Sequence, residues 1–376
     1  MLGLYIHIPF CVKKCKYCDF NSFKLNLDEK IKYLNALGKE MELYKEEFKD
    51  KEIDSIFVGG GTPSILNENE IKTLFANIKA NFKIKSDAEI TMECNPGTLT
   101  IQKLKTMKDY GVNRLSIGLQ AVQNHHLNYI GRIHTFEEFE KNYYEAKAVG
   151  FKNINIDLMY ALPNQSREDW IESLEKVVKL NPTHISAYSL ILEENTELFD
   201  MYERKEFKLL DEDTDIEMYE YTINYLEANG YNQYEISNYA KSGFECKHNI
   251  LYWKCENYIG LGVSSAGFLD GKRYNNICDI DEYEEIILSG KKPIEWEENI
   301  SMKDKIEESI FLGLRMNEGI KFKDFKEKYD FDFTEEYKEE IEKLKKSNLI
   351  DINDEGMRLT QKGREISNSV FVEFIK

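Results

Sequence analysis

The chain is poor in several residue types, and each shortage excludes a class of protein. Its 376 residues include only 6 Pro, 21 Gly and 3 Trp, so it is neither a collagen-like repeat nor a proline-rich disordered chain. Its 50 basic residues face 68 acidic ones, and the formal net charge of -18 disfavours a nucleic-acid groove. No stretch is long and apolar enough to span a bilayer. We therefore expect a globular protein with a large core and no nucleic-acid partner.

Cysteine usage and the first residues indicate the compartment. The seven cysteines are an odd number, and three of them, Cys11, Cys15 and Cys18, stand close together. Residues Met1–Pro9 lack the charged and apolar regions of a signal peptide and are expected to form a strand. This pattern predicts a protein of the reducing cytoplasm with a metal site, rather than a disulfide framework.

Up to about residue 240, short apolar or β-branched runs alternate with longer amphipathic stretches. The predicted strands are Leu2–Ile8, Asp54–Val58, Glu89–Cys94, Arg114–Leu119, Asn153–Leu158 and His184–Ile191. The predicted helices between them are Glu29–Phe48, Ile71–Ala80, Ile101–Tyr110, Phe136–Val149 and Asp169–Leu180. The alternation predicts an α/β fold, a partial (β/α)6 TIM-like barrel of parallel strands, with an open doubly wound sheet as the alternative.

The composition divides the chain into three predicted parts. Residues 1–240 would form the partial barrel, and residues 241–300 a connecting segment rich in Tyr and Gly. From Met302 onward, Lys, Glu and helical periods dominate, so residues 301–376 are expected to form a small C-terminal helical domain of winged-helix-like type.

The three clustered cysteines have the spacing Cys-x3-Cys-x2-Cys, directly after the first predicted strand. Thiolates are the ligands that suit iron–sulfur clusters. Three ligands for four irons would leave one iron open to the amino and carboxylate groups of S-adenosylmethionine. A set of three buried apolar cysteines is disfavoured by the polar neighbours Lys13 and Lys14, and a zinc site would need a fourth ligand nearby.

Polar or glycine residues end most of the predicted strands. Gly59–Pro63 follows the second strand, Glu93 ends the third, Gln120 the fourth, and Asp157 lies near the end of the fifth, with Arg132 twelve residues after Gln120. In a parallel barrel these ends meet at one rim. Carboxylates there could accept ribose hydroxyls or an ammonium group, and Arg and Gln could hold a carboxylate.

These motifs resemble radical S-adenosylmethionine proteins of the coproporphyrinogen dehydrogenase-like group. The resemblance rests on Tyr5–Cys11, Gly59–Pro63, Glu93–Pro96, Ser116–Gln120 and Asn155–Tyr160. It implies a partial radical S-adenosylmethionine barrel, a C-terminal helical domain and a [4Fe-4S] cluster on Cys11, Cys15 and Cys18. The S-adenosylmethionine-contacting positions that it implies are Tyr5, Tyr17, Gly60, Gly61, Thr62, Glu93, Gln120, Arg132 and Asp157.

Two branches of this group differ in function, and three features separate them here. The dehydrogenases carry a further cysteine two positions after the third, where this chain has Phe20. They also carry an N-terminal extension before the cysteine motif, and in this chain that motif begins at Cys11. The heme chaperones called HemW share the Cys-Asp-Phe ending and add His-Asn-x-x-Tyr-Trp, present as His248–Trp253. The resemblance favours the heme chaperone branch. The alternative is an oxygen-independent coproporphyrinogen III dehydrogenase, a radical S-adenosylmethionine oxidative decarboxylase.

The motif His248–Trp253 offers groups that could hold heme. Imidazole is a common axial ligand of heme iron, and Tyr252 and Trp253 provide flat apolar surface. A core histidine packed beneath the barrel stays open as the simpler interpretation, and Cys246 and Cys255 are possible thiolate ligands beside the motif. The resemblance implies heme as cargo, heme-accepting apoproteins (respiratory ones among them), a homodimer, and peripheral contact with a membrane.

Overall fold

The computed structural model describes residues 1–376, and a twelve-stranded sheet forms its centre. The strands of this sheet are β1 Leu2–Ile8, β2 Glu52–Gly60, β3 Lys83–Cys94, β4 Arg114–Gln120, β5 Asn153–Tyr160, β6 His184–Ser189, β7 Asn232–Glu235, β8 Asn238–Ala240, β9 Asn257–Leu261, β10 Ala266–Leu269, β11 Lys272–Asn276 and β12 Ile294–Asn299. Their order across the sheet is β12-β11-β10-β9-β1-β2-β3-β4-β5-β6-β8-β7.

Strands β1–β6 are parallel neighbours, as the alternating pattern predicts. Every residue of β4 is buried, since helices cover one face and polar barrel-lining groups fill the other. The helices of this part are Leu27–Phe48, Glu68–Asn81, Ile101–Asp109, Asn124–Tyr129, Phe136–Val149, Arg167–Leu180, Glu197–Glu203, Glu212–Ala228, Lys247–Trp253 and Ile280–Leu288. Three of them begin with reciprocal capping boxes, Asn67 with Glu70, Thr135 with Glu138 and Ser166 with Asp169. The predicted partial barrel is confirmed.

Four strands, β9–β12, come from the segment that the sequence treats as a connection. Strand β9 pairs in parallel with β1, with Leu2 opposite Asn257 and Ile6 opposite Leu261. Strands β10–β12 follow as antiparallel neighbours. Strand β12 exposes five of its six residues, so it lacks the apolar run that reveals a buried strand. The sheet therefore continues past β1 on the side away from β2.

The C-terminal residues build a second core. Fourteen buried residues between Ile306 and Phe374 form a cluster separate from the 59-residue core around the main sheet. The helices here are Met302–Arg315, Phe322–Tyr329, Phe333–Glu336, Lys338–Lys346, Gln361–Glu365 and Ser367–Val372, beside a small antiparallel sheet of β13 Ile320–Lys321, β14 Ile350–Ile352 and β15 Gly356–Leu359. This arrangement is the predicted winged-helix-like domain. None of the helices has the length and apolar content needed to cross a bilayer.

An ion pair and a backbone hydrogen bond join this second core to the main sheet. Arg315, at the end of helix Met302–Arg315, places its Nε 2.8 Å from Oε2 of Glu235 in β7. The amide of Asn317 donates to the carbonyl of Tyr234 at 2.9 Å. The Arg315 guanidinium also lies 4.5 Å from the ring centroid of Trp253. The junction therefore holds the C-terminal domain against the helix Lys247–Trp253.

Glu40 of helix Leu27–Phe48 should make stability depend on pH. Its carboxyl group is buried and accepts hydrogen bonds from the amide of Gly262, the side-chain amide of Asn276 and the hydroxyl of Tyr283. Burial nevertheless raises the pKa of Glu40 from 4.5 to about 7. The folded state holds the Glu40 proton more tightly than the unfolded chain, so the protonated group contributes to the free energy of unfolding. This contribution is fully present below the pKa of the unfolded chain and is lost as pH rises through the pKa of the folded state.

We expect this group to lower the free energy of unfolding by at most about 3 kcal/mol as pH rises through that window. Urea denaturation at several pH values should show the decrease, and Glu40→Gln should remove it. An identical pH dependence in the two proteins would contradict this account of Glu40.

Candidate cluster and cofactor site

The three clustered cysteines lie on a loop that leaves the carboxyl end of β1. Residues Phe10–Cys11 pair with Phe23–Lys24, so the loop is closed at its base. Cys11 is buried, Cys15 and Cys18 are half-buried, and none of the three forms a disulfide. The hydroxyl of Thr62 donates to Cys11 Sγ at 3.4 Å, which ties the loop to the glycine-rich turn after β2.

The thiol groups suit a metal cluster by their chemistry and their mutual proximity. The pKa of Cys18 is raised to about 11, chiefly by burial, with Cys15 and Cys11 adding to the rise and the Phe20 amide and Lys14 opposing it. Burial also raises the pKa of Cys11, to which Cys15 adds. Three thiolates so close together repel one another unless cations lie between them, which is what cluster irons supply. The donor set therefore fits a [4Fe-4S] cluster.

The turn after β2 can only be made with glycine. Gly60 has φ +110°, and a Cβ there would lie 2.6 Å from the His7 ring. A Cβ on Gly61 would lie 2.8 Å from the carbonyl oxygen of Phe10. The turn thus packs directly against the strand that leads into Cys11, at a separation that a side chain would not allow.

Glu93 and Asp157 face each other inside the barrel, below that turn. The Gly60 amide donates to Glu93 at 3.1 Å, and the Ser116 hydroxyl donates to Asp157 at 3.2 Å. Burial raises the pKa of Glu93 to about 8, with Asp157 adding to the rise and Arg114 opposing it. Burial raises the pKa of Asp157 as well. A cation bound between the two would favour their ionised forms, so the pair suits an ammonium or ribose hydroxyls.

Arg132 connects the cysteine loop to the ends of the neighbouring strands. Its Nη1 donates to Cys15 Sγ at 3.6 Å, and its Nη2 donates to Asn95 Oδ1 at 2.8 Å. Asn95 donates in turn to the Thr62 hydroxyl at 3.0 Å. Asn95 belongs to the motif Glu93–Pro96, but sequence reasoning gave it no role. Its position directly after a strand-ending carboxylate was the signal that could have found it.

The remaining predicted positions also lie on this rim or face the interior. Gln120 adopts φ 73° at the end of β4, and its Oε1 accepts from the hydroxyl of Tyr188 at 3.0 Å, a partner that the sequence did not indicate. Tyr17 stands beside Arg132, with its pKa raised by burial. The Tyr5 hydroxyl bonds to Nδ1 of His7 at 2.8 Å. The contacts described above link these residues at the cysteine-loop end of the barrel, except that Tyr5 lies further back on β1, opposite Phe57, and also lines a cavity with Tyr252 and Trp253.

His248 lies at the opposite, amino-terminal end of the barrel. Its side chain is 1% exposed, its Nδ1 is 2.9 Å from the Ser55 hydroxyl, and its Nε2 is 2.8 Å from the Tyr252 hydroxyl. The Glu89 carboxylate accepts from the amides of Lys247 and His248 at 3.2 Å each, which fixes the start of this helix. Burial and the nearby Arg114 lower the pKa of His248 to about 3. His248 is therefore a neutral imidazole with both nitrogens engaged.

The fold and the cysteine loop define a radical S-adenosylmethionine protein, and residues 5–177 match the Radical SAM superfamily. Residues 300–366 match the HemN C-terminal domain. The chain belongs to the HemW family of heme chaperones. It is 36% identical over 376 residues to Heme chaperone HemW of Bacillus subtilis, covering 100% of this chain and 99% of that protein. The HemW of Lactococcus lactis is 38% identical, with 99% of this chain and 96% of that protein covered.

The fold also has a solved counterpart. Coproporphyrinogen III oxidase (HemN) from Escherichia coli, a radical SAM enzyme, superposes with a TM-score of 0.87, at 24% identity, covering 100% of this chain and 90% of that chain. At this identity the likeness shows the fold alone. Membership of the radical SAM superfamily implies a [4Fe-4S] cluster and S-adenosylmethionine, for which the rim residues have the required chemistry.

Proposed function

We propose that this protein is a cytoplasmic heme chaperone that holds a [4Fe-4S] cluster, binds S-adenosylmethionine and passes heme to apoproteins. One observation supports this most. The helix Lys247–Trp253 lies at the barrel end opposite the cysteine loop, and its aromatic residues Tyr252 and Trp253 line a cavity. Relatives that match over their full length are named heme chaperones.

In this proposal the chain's own residues at the rim have separate tasks. Cys11, Cys15 and Cys18 hold the cluster, which supplies an iron with an open coordination position when bound. The S-adenosylmethionine positions are Tyr5, Tyr17, Gly60, Gly61, Thr62, Glu93, Gln120, Arg132 and Asp157. Glu93 and Asp157 suit the ammonium or ribose hydroxyls, because cations and hydroxyl donors relieve their buried charge.

For heme, the residues proposed are His248, Tyr252 and Trp253. The buried and doubly bonded ring of His248 supports a positioning role, while Tyr252 and Trp253 line a cavity. Respiratory acceptors, homodimer formation and peripheral membrane contact belong to the proposal through the resemblance alone.

The function is tested on anaerobically reconstituted protein. Hemin should produce a Soret band that saturates with protein, and the bound heme should pass to an apoprotein such as apomyoglobin. Coproporphyrinogen III given with reductant and S-adenosylmethionine should yield no protoporphyrinogen. Efficient decarboxylation without heme transfer would replace the chaperone by the dehydrogenase.

Gly60→Ala should weaken S-adenosylmethionine binding. The new Cβ would meet the His7 ring at 2.6 Å at a residue with φ +110°, so the turn must shift, which disturbs the hydrogen bond of the Gly60 amide with Glu93. Equilibrium dialysis with labelled S-adenosylmethionine should show affinity reduced at least about tenfold, which corresponds to a loss of about 1.4 kcal/mol.

Gly97→Ala is the matched control. Gly97 also has a positive φ, +82°, but a Cβ there meets nothing within 4 Å. This variant should bind S-adenosylmethionine normally and lose only about 1 kcal/mol of stability through backbone strain. Equal binding losses in the two variants would mean that the contact with His7 is irrelevant.

A further inference from the structure

A series of hydrogen bonds crosses the interior of the barrel and ends on Asp157. It includes the hydroxyl of Tyr234, which lies 2.8 Å from Nε2 of His184. The other ring nitrogen of His184, Nδ1, lies 2.6 Å from Oδ1 of Asn155. The side-chain amide of Asn155 then donates to Oδ1 of Asp157 at 2.7 Å. We name these four residues the hydrogen-bond chain, and only Asp157 among them was given a role from the sequence.

The hydrogen-bond chain passes through three strands of the main sheet. Tyr234 belongs to β7, and His184 is the first residue of β6, directly opposite Asn155 of β5. His184 and Asn155 are both buried. Asn155 and Asp157 are two residues apart on β5, so their side chains lie on the same face of the sheet. The chain therefore leads from the sheet beyond β6 inward to the cofactor rim.

The direction of its hydrogen bonds follows from the chemistry of the groups. The carboxylate of Asp157 accepts, so the amide nitrogen of Asn155 faces it, and Oδ1 of Asn155 faces His184. An amide oxygen can only accept, so His184 carries a proton on Nδ1. Burial and the nearby Arg114 hold the pKa of His184 well below its usual value. The ring therefore has a single proton, and its Nε2 accepts from the hydroxyl of Tyr234.

The oxygen of Tyr234 accepts in turn from a backbone donor. The amide of Cys246 donates to it at 3.2 Å. All the donors from Cys246 onward thus point toward Asp157. Aligned hydrogen bonds polarise one another, and a donor at the end of such a series favours an ionised carboxylate over the neutral acid. Burial raises the pKa of Asp157, and the Asn155 amide opposes that rise.

We propose that Tyr234 and His184 are positioning residues for S-adenosylmethionine, which keep the Asp157 carboxylate ionised and fixed in orientation. The inference rests on the proposed role of Asp157 in binding this cofactor. The Asn155 amide contacts Oδ1 of the carboxylate, and Oδ2 accepts from the hydroxyl of Ser116 at 3.2 Å. Since each carboxylate oxygen has two lone pairs, Oδ2 has capacity for a donor from the cofactor.

Three further charged or titratable groups face Asp157 from the neighbouring strands. They are Glu93 on β3, Arg114 on β4 and Tyr188 on β6. Burial holds the pKa of Tyr188 well above its usual value, so this side chain stays neutral. Because Glu93 and Asp157 interact, the pH dependence of cofactor binding belongs to the two carboxyl groups together.

The experiment measures S-adenosylmethionine binding by equilibrium dialysis from mildly acidic to mildly alkaline pH, on full-length protein with its cluster reconstituted. Tyr234→Phe removes the hydroxyl that donates to His184. We expect the midpoint of the pH profile to rise by about half a pH unit, which weakens binding about threefold on the acidic side. On the alkaline side the affinity should equal that of the wild type.

Two His184 variants and one tyrosine variant provide the rescue and the control. His184→Gln retains a donor toward Asn155 and an acceptor toward Tyr234, so it should keep the wild-type profile that His184→Leu loses. Tyr231→Phe also removes a buried hydroxyl, one that donates to the carbonyl of Pro182 at 2.9 Å outside the hydrogen-bond chain. This control should bind like the wild type at every pH.

A Tyr234→Phe profile identical to that of Tyr231→Phe, or an affinity loss equal at every pH, would overturn the positioning role and leave S-adenosylmethionine binding standing. If Tyr234→Phe loses its cluster absorbance, the two His184 variants decide by the same criterion. Wild-type protein that binds no S-adenosylmethionine at any pH would instead contradict the proposed cofactor binding itself.

Discussion

Replacing Cys15 by alanine should abolish the [4Fe-4S] cluster. Cys15 is the middle ligand of the loop, and its sulfur also receives the Arg132 guanidinium at 3.6 Å. The two remaining thiols cannot hold a cluster that already has only three protein ligands. After anaerobic reconstitution, iron and acid-labile sulfide should fall to background, and the visible absorbance of the cluster should disappear.

Cys278→Ala is the control for this measurement. Cys278 has an exposed side chain outside the cysteine loop, with its sulfur 3.9 Å from Glu295. Its removal should leave iron and sulfide unchanged. A complete cluster in Cys15→Ala would show that other cysteines bind the iron.

Arg315→Met should destabilise the protein by about 3–5 kcal/mol, because it leaves a buried carboxylate without its partner. Glu235 is fully buried, and the Arg315 guanidinium is its only ion-pair partner, at 2.8 Å. Methionine would keep part of the packing against Trp253 but none of the charge. Urea denaturation should show the loss as a lower midpoint.

Arg358→Met provides the matched comparison. Arg358 pairs with Asp351 at 3.5 Å on the exposed small sheet of the C-terminal domain. Exposed pairs contribute about 0–1 kcal/mol, so this variant should unfold close to the wild-type midpoint. Similar losses in the two variants would mean that burial of Glu235 does not determine the cost.

The strands of the barrel could be predicted from the sequence because they are buried on both faces and therefore form apolar runs. Predicted strand Leu2–Ile8 is identical to β1, and Arg114–Leu119 falls one residue short of β4. Strands β11 and β12 were not predicted because Lys272–Asn276 and Ile294–Asn299 are largely polar. Their strand conformation depends on backbone hydrogen bonds to neighbouring strands. Such pairing leaves little trace in local composition.

The site was predictable wherever spacing determines chemistry. The cysteine spacing and the strand-end residues identified the rim, because parallel strand ends must converge. The location of His248 was not predictable, since it depends on contacts with Ser55 and Glu89, each more than 150 residues away. The cavity lined by Tyr252 and Trp253 likewise needs β9–β11 and helix Met302–Arg315 to be in place.

The parallel pairing of β1 with β9 has a consequence for biosynthesis. Leu2 lies opposite Asn257, so the first strand to leave the ribosome waits for a partner about 255 residues later. At about 5–20 residues per second, that delay is on the order of tens of seconds. Its other neighbour, β2, arrives within about 60 residues, so β1 can join the growing sheet early while one edge stays unpaired. The cysteine loop is therefore synthesised and accessible to iron delivery well before the aromatic cavity exists, and cluster assembly can precede any encounter with heme.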